Sequence, residues 1–217
     1  GNGSAEHTNA TVEPNIGFVG LGVMGEPMCL NLAKKTRSKV IGFDLFPDPL
    51  ERLAEEGVAR AESLEYLADQ CELIFLSLPD GEAVKSVCCR PDGLVAHMKA
   101  SSTLVDMSTS PVGLTRELAA QCQERHIDFA DAPVARTREA AIRGDLSVMV
   151  GCDATLFDRL LPVLKLMGSD VTHCGEVGSG QIMKILNNMV LFQNVCALTE
   201  AIAVARRNSV NLDTLLS

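Results

Sequence analysis

Tryptophan is missing from the 217 residues, tyrosine occurs once, and aromatics together reach only 4%. Little is therefore available for a single-stranded nucleic-acid surface, which needs aromatic faces on which bases stack. Positive charge is scarce as well: 19 Lys and Arg stand against 28 Asp and Glu, a formal net charge of −9. A chain that neutralises many phosphates carries the opposite balance, so no nucleic-acid partner is expected. The densest basic stretch, from Lys34 to Lys39, falls at the end of a predicted helix, where cations complement the macrodipole. The uncharged stretch from Ile185 to Thr199 is short for a membrane span and is broken by Asn187, Asn188, Gln193 and Asn194, so no membrane partner is expected. The eight cysteines (Cys29, Cys71, Cys88, Cys89, Cys122, Cys152, Cys174 and Cys196) form no C-x-x-C pair and have no His at ligand spacing. No metal site is expected from that pattern. Scattered through apolar segments, they read as buried, reduced thiols of a cytoplasmic protein, with the mitochondrion as the alternative compartment.

What is present is an ordinary globular mix, 47% hydrophobic and 22% charged. Residues 1–14 are polar, lack an initiator Met and have no hydrophobic signal core; they are expected to be a disordered tail or a cloning remnant. The N-x-S/T matches at Asn2 and Asn9 lie in that tail. Beyond it, short apolar runs alternate with segments of helical period. Strands are predicted at Ile16–Gly20, Lys39–Phe43, Leu73–Leu78, Thr103–Asp106, Ile127–Ala130, Ser147–Val150 and Asp170–His173. Helices are predicted at Gly25–Lys35, around Glu51 and Leu64, and at Gly113–Arg125 and Ala154–Met167. That alternation calls for an α/β fold, a Rossmann-type doubly wound and mostly parallel sheet. After the glycine-rich stretch ending at Gly180 no strand follows, and Gln181 to Arg206 reads as one helix, apolar on nearly every face. Such a helix must be covered on all sides or pack on partners. Residues 15–178 are thus expected to form one domain and 179–217 the start of a second, helical one.

The first strand runs into Gly20-Leu21-Gly22-Val23-Met24-Gly25 and then a helix. The first glycine permits a tight turn, the second lets backbone approach a pyrophosphate, and the third lets helix and strand pack closely. The helix N-terminus adds donors and a positive dipole end. Asp44 follows 19 residues after the last glycine, at the end of the next strand. A carboxylate there accepts from both ribose hydroxyls of NAD, and against a 2′-phosphate it repels by roughly 4 kcal/mol per unit charge at about 4 Å. NAD is therefore expected over NADP.

Three further segments carry chemistry-bearing groups. Val105 to Pro111 places Ser108, Thr109 and Ser110 just beyond a strand's C-terminal end, where open parallel sheets bind ligands; helix capping is the competing explanation. Asp131 to Thr137 does the same and adds the guanidinium of Arg136, whose plain alternative is a solvated surface charge. In Gly180 to Asn188, Lys184 stands among apolar residues with Asn188 four positions on, about 6 Å along the same helix face. A desolvated lysine is a usable proton donor and acceptor, although a snorkelling structural lysine fits the same pattern.

With these residues in view the sequence resembles the β-hydroxyacid dehydrogenases, the 3-hydroxyisobutyrate dehydrogenase-like family. The matching segments occur in the family's order: GFVGLGVMG at 17–25, SLP at 77–79, VDMSTSP at 105–111, DAPV at 131–134, GDLSVMVG at 144–151 and GSGQIMKILNN at 178–188. The resemblance implies hydride transfer between a nicotinamide cofactor and a small, anionic β-hydroxy acid or its semialdehyde. It implies Lys184 as the general acid and base, Asn188 as the residue orienting the substrate, and Ser108 near the substrate carboxylate. Leu78, Pro79 and Thr109 fall on cofactor-contacting positions. Most members continue DAPV with Ser-Gly-Gly, whereas Ala135, Arg136 and Thr137 stand here, similar to the sulfolactaldehyde reductase subgroup. Arg136 and Thr137 are therefore expected to hold an acid group bulkier or more strongly anionic than that of hydroxyisobutyrate. The same departure sets the chain apart from 6-phosphogluconate dehydrogenase itself, which shares the lysine–asparagine helix. Members continue into a longer helical domain, so a chain of this length is expected to be a truncated form, a splice form or a segment of a larger polypeptide. Homo-oligomerisation is expected through the helical region. The competing expectation is a non-catalytic or incomplete dinucleotide-binding module.

Overall fold

The computed structural model describes residues 13–216, so the predicted tail lies almost wholly outside the described residues. Seven elements come first: β1 (Ile16–Val19), α1 (Gly25–Lys35), β2 (Val40–Phe43), α2 (Pro47–Ala54), β3 (Ala59–Arg60), α3 (Leu64–Gln70) and β4 (Leu73–Leu76). Then come α4 (Gly81–Cys88), α5 (Leu94–His97), β5 (Thr103–Asp106), α6 (Val112–Glu124), β6 (Asp128–Asp131), β7 (Val134–Ala135), α7 (Arg138–Arg143) and β8 (Leu146–Gly151). The chain continues through α8 (Ala154–Leu164), β9 (Gly168–Gly175), α9 (Ser179–Arg207) and α10 (Leu212–Leu216).

The strands form one sheet in the order β3-β2-β1-β4-β5-β6-β8-β7, with β9 paired to β8. From β3 to β6 every pairing is parallel. Chain order reverses between β1 and β4, and at such a switch point diverging crossovers leave a crevice at the carboxyl ends of the strands. The central strands read as unbroken apolar runs because both of their faces are covered. Ile16, Phe18 and Phe75 pack into one core cluster with Met28 and Leu32 of α1. Val19, Ile74 and Leu76, pointing the other way, join a second with Leu67 and Leu118.

Register matters more to function than strand count. Val19 pairs with both Phe43 and Leu76, Leu76 with Asp106, and Asp106 with Asp131. Five strands therefore end on one line, and each loop that leaves that line departs from the same edge.

The predicted strands and long helices are present, with ends shifted by a few residues. Two features differ. The far end of the sheet is not parallel: β8 runs antiparallel to both β6 and β7, which follow one another along its edge. Strands β3 and β7, only two residues each, and helices α4, α5, α7 and α10 were not predicted. The basic stretch does sit at a helix end, with Lys34 and Lys35 in the last turn of α1. The cysteines are all free; five are buried, but Cys89 and Cys174 are half-buried and Cys196 is exposed on α9.

Helix α9 is 29 residues long and, by length and composition alone, apolar enough to cross a membrane, so shortness does not exclude a span as the uncharged stretch suggested. Most of its apolar side chains face outward: Leu191 is 54% and Phe192 66% exposed.

Candidate functional site

The Gly-rich turn begins where β1 ends. Gly20 has φ +90, and a Cβ there would sit 2.1 Å from the carbonyl oxygen of Ser77. A Cβ on Gly25 would lie 1.9 Å from the carbonyl oxygen of Gly20. Only glycine fits at either place. Gly22 is different: a side chain there would meet nothing within 4 Å, because the position opens onto the cleft. Helix α1 starts without a side-chain cap; the Glu26 N–H is taken by the Gly22 carbonyl oxygen at 3.0 Å and Pro27 has none, so what the helix end offers is the positive end of its dipole and the backbone of the turn before it. The open second glycine and the uncapped helix end fit a pyrophosphate.

Asp44, one residue beyond β2, closes the turn from the side. Its carboxylate accepts from the Leu21 N–H at 2.6 Å and the Phe46 N–H at 2.9 Å. Leu21 itself is buried in the core and reaches the site through its backbone alone. The remaining residues expected to bind cofactor (Gly20, Gly22, Val23, Met24, Gly25, Asp44, Leu78, Pro79 and Thr109) all line one cleft of about 850 Å³, together with Ser108 and Arg136. Thr137, Lys184 and Asn188 are not among its lining residues. Thr137 instead caps α7, accepting from the Ala140 N–H at 3.4 Å.

Ser108 is held on both sides. Its N–H donates to Asp106 Oδ1 at 2.9 Å, and its Oγ accepts from the Leu78 N–H at 2.8 Å. Because Oγ is the acceptor in that bond, its hydroxyl hydrogen can donate, and the Asp106 carboxylate is one acceptor within reach. Ser110 Oγ donates to Asp106 Oδ2 at 2.7 Å. Asp106 is thus fully buried beneath the loop it organises. Burial pushes its carboxyl up to about 6, against the opposing pull of its bonds to Ser108 and Ser110.

The paired residue on the next strand does similar work for α9. Asp131, also fully buried, accepts from the Gly178 N–H at 2.7 Å and the Gln181 N–H at 2.9 Å. Its carboxyl is likewise raised by burial and pulled back by those N–H groups. Gly151 and Gly180 make the approach possible. A Cβ on the first would lie 2.4 Å from Asp131 Oδ1, and one on the second 2.3 Å from the Met149 carbonyl oxygen.

Gln181 completes the connection. It is fully buried, its Nε2 donates to the Ser108 carbonyl oxygen at 2.8 Å, and its Oε1 accepts from the Ser110 N–H at 3.1 Å. Lys184 follows three residues later, a rise of about 4.5 Å on nearly the same face, and Asn188 one turn beyond that. Both are half-buried. Burial pushes the Lys184 ammonium below the ordinary lysine range.

Arg136 occupies the left-handed region at φ +86. Its Nη1 donates to the Asp145 carbonyl oxygen at 2.8 Å, to Asp145 Oδ1 at 3.1 Å and to Ser169 Oγ at 3.2 Å. Neither Nε nor Nη2 has a partner among the described residues.

Asp106, Asp131 and Gln181 were not singled out from the sequence. The two aspartates lie inside the segments that drew notice, yet attention there fell on hydroxyls and a guanidinium. Nothing local marks Gln181, whose partner Ser110 is 71 residues away.

Residues 15–175 match the family model described as the NAD-binding domain of 6-phosphogluconate dehydrogenase. The chain is 35% identical over 200 residues to 2-(hydroxymethyl)glutarate dehydrogenase of Eubacterium barkeri, covering 92% of this chain and 66% of that one. Among solved structures, Mycobacterium tuberculosis 3-hydroxyisobutyrate dehydrogenase with L-serine superposes at a TM-score of 0.88 and 34% identity, covering 93% of this chain and 68% of its own. Psf3, solved with NADP+ and 2-OPP, superposes at 0.82 and 27% identity, covering 93% and 71%. The chain spans 57–66% of the length of the curated relatives compared with it.

Proposed function

The chain belongs to the β-hydroxyacid dehydrogenase family, and from that premise we propose that it transfers a hydride between a nicotinamide dinucleotide and a small β-hydroxy acid or its semialdehyde. The observation that carries this reading is the position of Lys184, one turn along α9 from a residue bonded to the Ser108 loop at the edge of the dinucleotide cleft. The nicotinamide, when bound, supplies the hydride acceptor or donor. Lys184 handles the accompanying proton. In oxidation its neutral amine takes the proton of the substrate hydroxyl, and in reduction its ammonium returns one to the oxygen of the reacting carbon. A lysine held below its ordinary range suits both directions. Ser108 turns its hydroxyl hydrogen from Asp106 to the substrate carboxylate while the Leu78 N–H holds the oxygen. Asn188 orients the substrate from the same helix face as Lys184. Arg136 offers its free Nε and Nη2 to the acid group, anchored through Nη1 by Asp145 and Ser169; Thr137 fixes the start of α7 beside it.

NAD is the proposed cofactor in preference to NADP, because Asp44 presents a fixed carboxylate where a 2′-phosphate would have to sit. We also read residues 15–178 as the nucleotide-binding domain and 179–217 as the beginning of a helical one, with neither nucleic acid nor membrane as partner.

Steady-state kinetics with hydroxy acids and semialdehydes bearing carboxylate, sulfonate or phosphate groups test the reading directly. Lys184→Ala should lower kcat at least about 1,000-fold and leave NADH affinity within about twofold. Turnover surviving in that variant overturns the role of Lys184, and equal efficiency with NADPH overturns the cofactor assignment. NADH binding without turnover by the unaltered chain across the whole panel supports the second reading, a dinucleotide-binding module.

A further inference from the structure

The Lys184 side chain makes no hydrogen bond among the described residues, so its height above the substrate loop is set by how the root of α9 is held. Three observations describe that hold. Asp131 reaches up from the end of β6 to the N–H groups of Gly178 and Gln181, at 2.7 and 2.9 Å. The side chain of Gln181 grips Ser108 and Ser110 through both ends of its amide. Gly151 and Gly180 remove the side chains that would otherwise keep helix and strand apart. Every polar atom involved is buried, and a buried polar group is retained at a cost unless its bonds are made. A helix root needing only attachment could be held by apolar contact; this one is bonded to the same loop that presents Ser108.

We propose that Gln181 and Asp131 are positioning residues for Lys184: Asp131 fixes the axial height of the first turn of α9, and Gln181 locks that turn to the Ser108–Ser110 loop. This rests on the proposed role of Lys184, and it extends that role to two residues that touch neither substrate nor cofactor. Gln181 also supplies a geometric coupling. The loop cannot shift relative to α9 without breaking one of its two bonds, so Ser108 and Lys184 move as one body and the distance between carboxylate anchor and proton donor stays constant. Misplacement of a reacting group by about 1 Å costs on the order of 100-fold in rate, which sets the scale of the expected effect.

The test uses Gln181→Met, which keeps length and burial but removes both bonds, and Asp131→Asn, which keeps shape but leaves one N–H facing an amide nitrogen. Two readouts are taken on the full chain. The first is the kcat and KM split, with NADH affinity as the check on folding of the nucleotide-binding part. The second needs no turnover: the rate at which an amine-reactive reagent labels Lys184 as a function of pH, read by peptide mass spectrometry. The expected result for either variant that binds NADH is a 10- to 100-fold loss in kcat with the cofactor KM within twofold, and a Lys184 labelling profile displaced toward that of an exposed lysine. A labelling profile identical to the parent's in both variants overturns the proposal, whatever happens to kcat. Failure of the Lys184 assignment is told apart by Lys184→Ala retaining turnover while the Lys184 labelling profile of Gln181→Met and Asp131→Asn is still displaced.

Discussion

In the first turn of α9, Gln181 is fully buried and both ends of its amide bond one loop, whereas every residue from Leu191 to Glu200 faces solvent. One continuous helix thus has two kinds of sequence logic. At its root, polar atoms are placed where a partner exists for each. Along its length, apolar side chains are presented with no polar alternation to match the water outside. The contrast shows that the root is specified by the sheet beneath it, and the remainder by surfaces the sheet does not provide. The root is where substitutions should be costly, and the shaft is where they should be tolerated.

The largest effect should come from removing the acceptor at the root. Asp131→Ala leaves the N–H groups of Gly178 and Gln181 buried without their partner, and a loss of about 3 kcal/mol is expected in urea unfolding. A loss under about 1 kcal/mol would erase the distinction between the two parts of the helix.

Next comes the carboxyl paired with it. Asp106 is pushed up to about 6 by burial, from an ordinary 3.8. The native state therefore binds this proton more tightly than the unfolded chain does, and stability from this group rises as pH falls through 6 toward 4. Above 6 the buried charge is a cost. Asp106→Asn should accordingly exceed the parent by about 2 kcal/mol at pH 7.5, with the gap about halved at pH 5 and closed only near pH 4. A gap independent of pH, in melts followed at these values, would contradict the titration.

A smaller effect is expected at Arg136. An L-residue at φ +86 carries a backbone cost of about 1 kcal/mol or somewhat more that glycine avoids. Arg136→Gly should raise the unfolding free energy by about 1 kcal/mol while increasing KM for the acidic substrate. Stability and substrate affinity moving in the same direction would show that the arginine is not held there for its charge.

The smallest change belongs to the shaft. Replacing Leu191 and Phe192 with serine should alter unfolding free energy by less than about 0.5 kcal/mol per site. If this face holds a second copy of the chain, as the expected homo-oligomer requires, light scattering should show the mass falling to that of one chain in the same double variant. A large destabilisation with no change in mass would mean that the shaft is part of the folded unit after all.

How far the sequence alone reached depends on the length scale of each signal. Leu73 to Leu76 is an uninterrupted apolar run because the sheet covers both its faces, and such strands were legible. So was the turn Gly20 to Gly25, since its three glycines answer local needs. Ala59–Arg60 and Val134–Ala135 are too short to show a period. Helix α4 had readable signals that were passed over: Asp80 accepts from the Ala83 N–H, and Val84 and Cys88 stand one turn apart on its buried side. The direction of β8 was not legible, because alternation of strands and helices does not say whether a short connection returns up or down. For the site, the residues that face the cleft were found and those that hold them were not. Asp106 and Asp131 look like surface-loop carboxylates until the register sets them side by side beneath two loops.

Helix α9 can also be considered as a lever. It is about 43 Å long at 1.5 Å per residue, and it is pinned at one end. A tilt of about 5° about Gln181 would carry the far end through roughly 3 Å, yet would displace Lys184, about 4.5 Å from the pivot, by only about 0.4 Å. Anything that docked along the shaft could thereby pull on it while leaving Lys184 nearly in place. On the proposed reading, the short arm serves the chemistry and the long arm whatever covers the shaft.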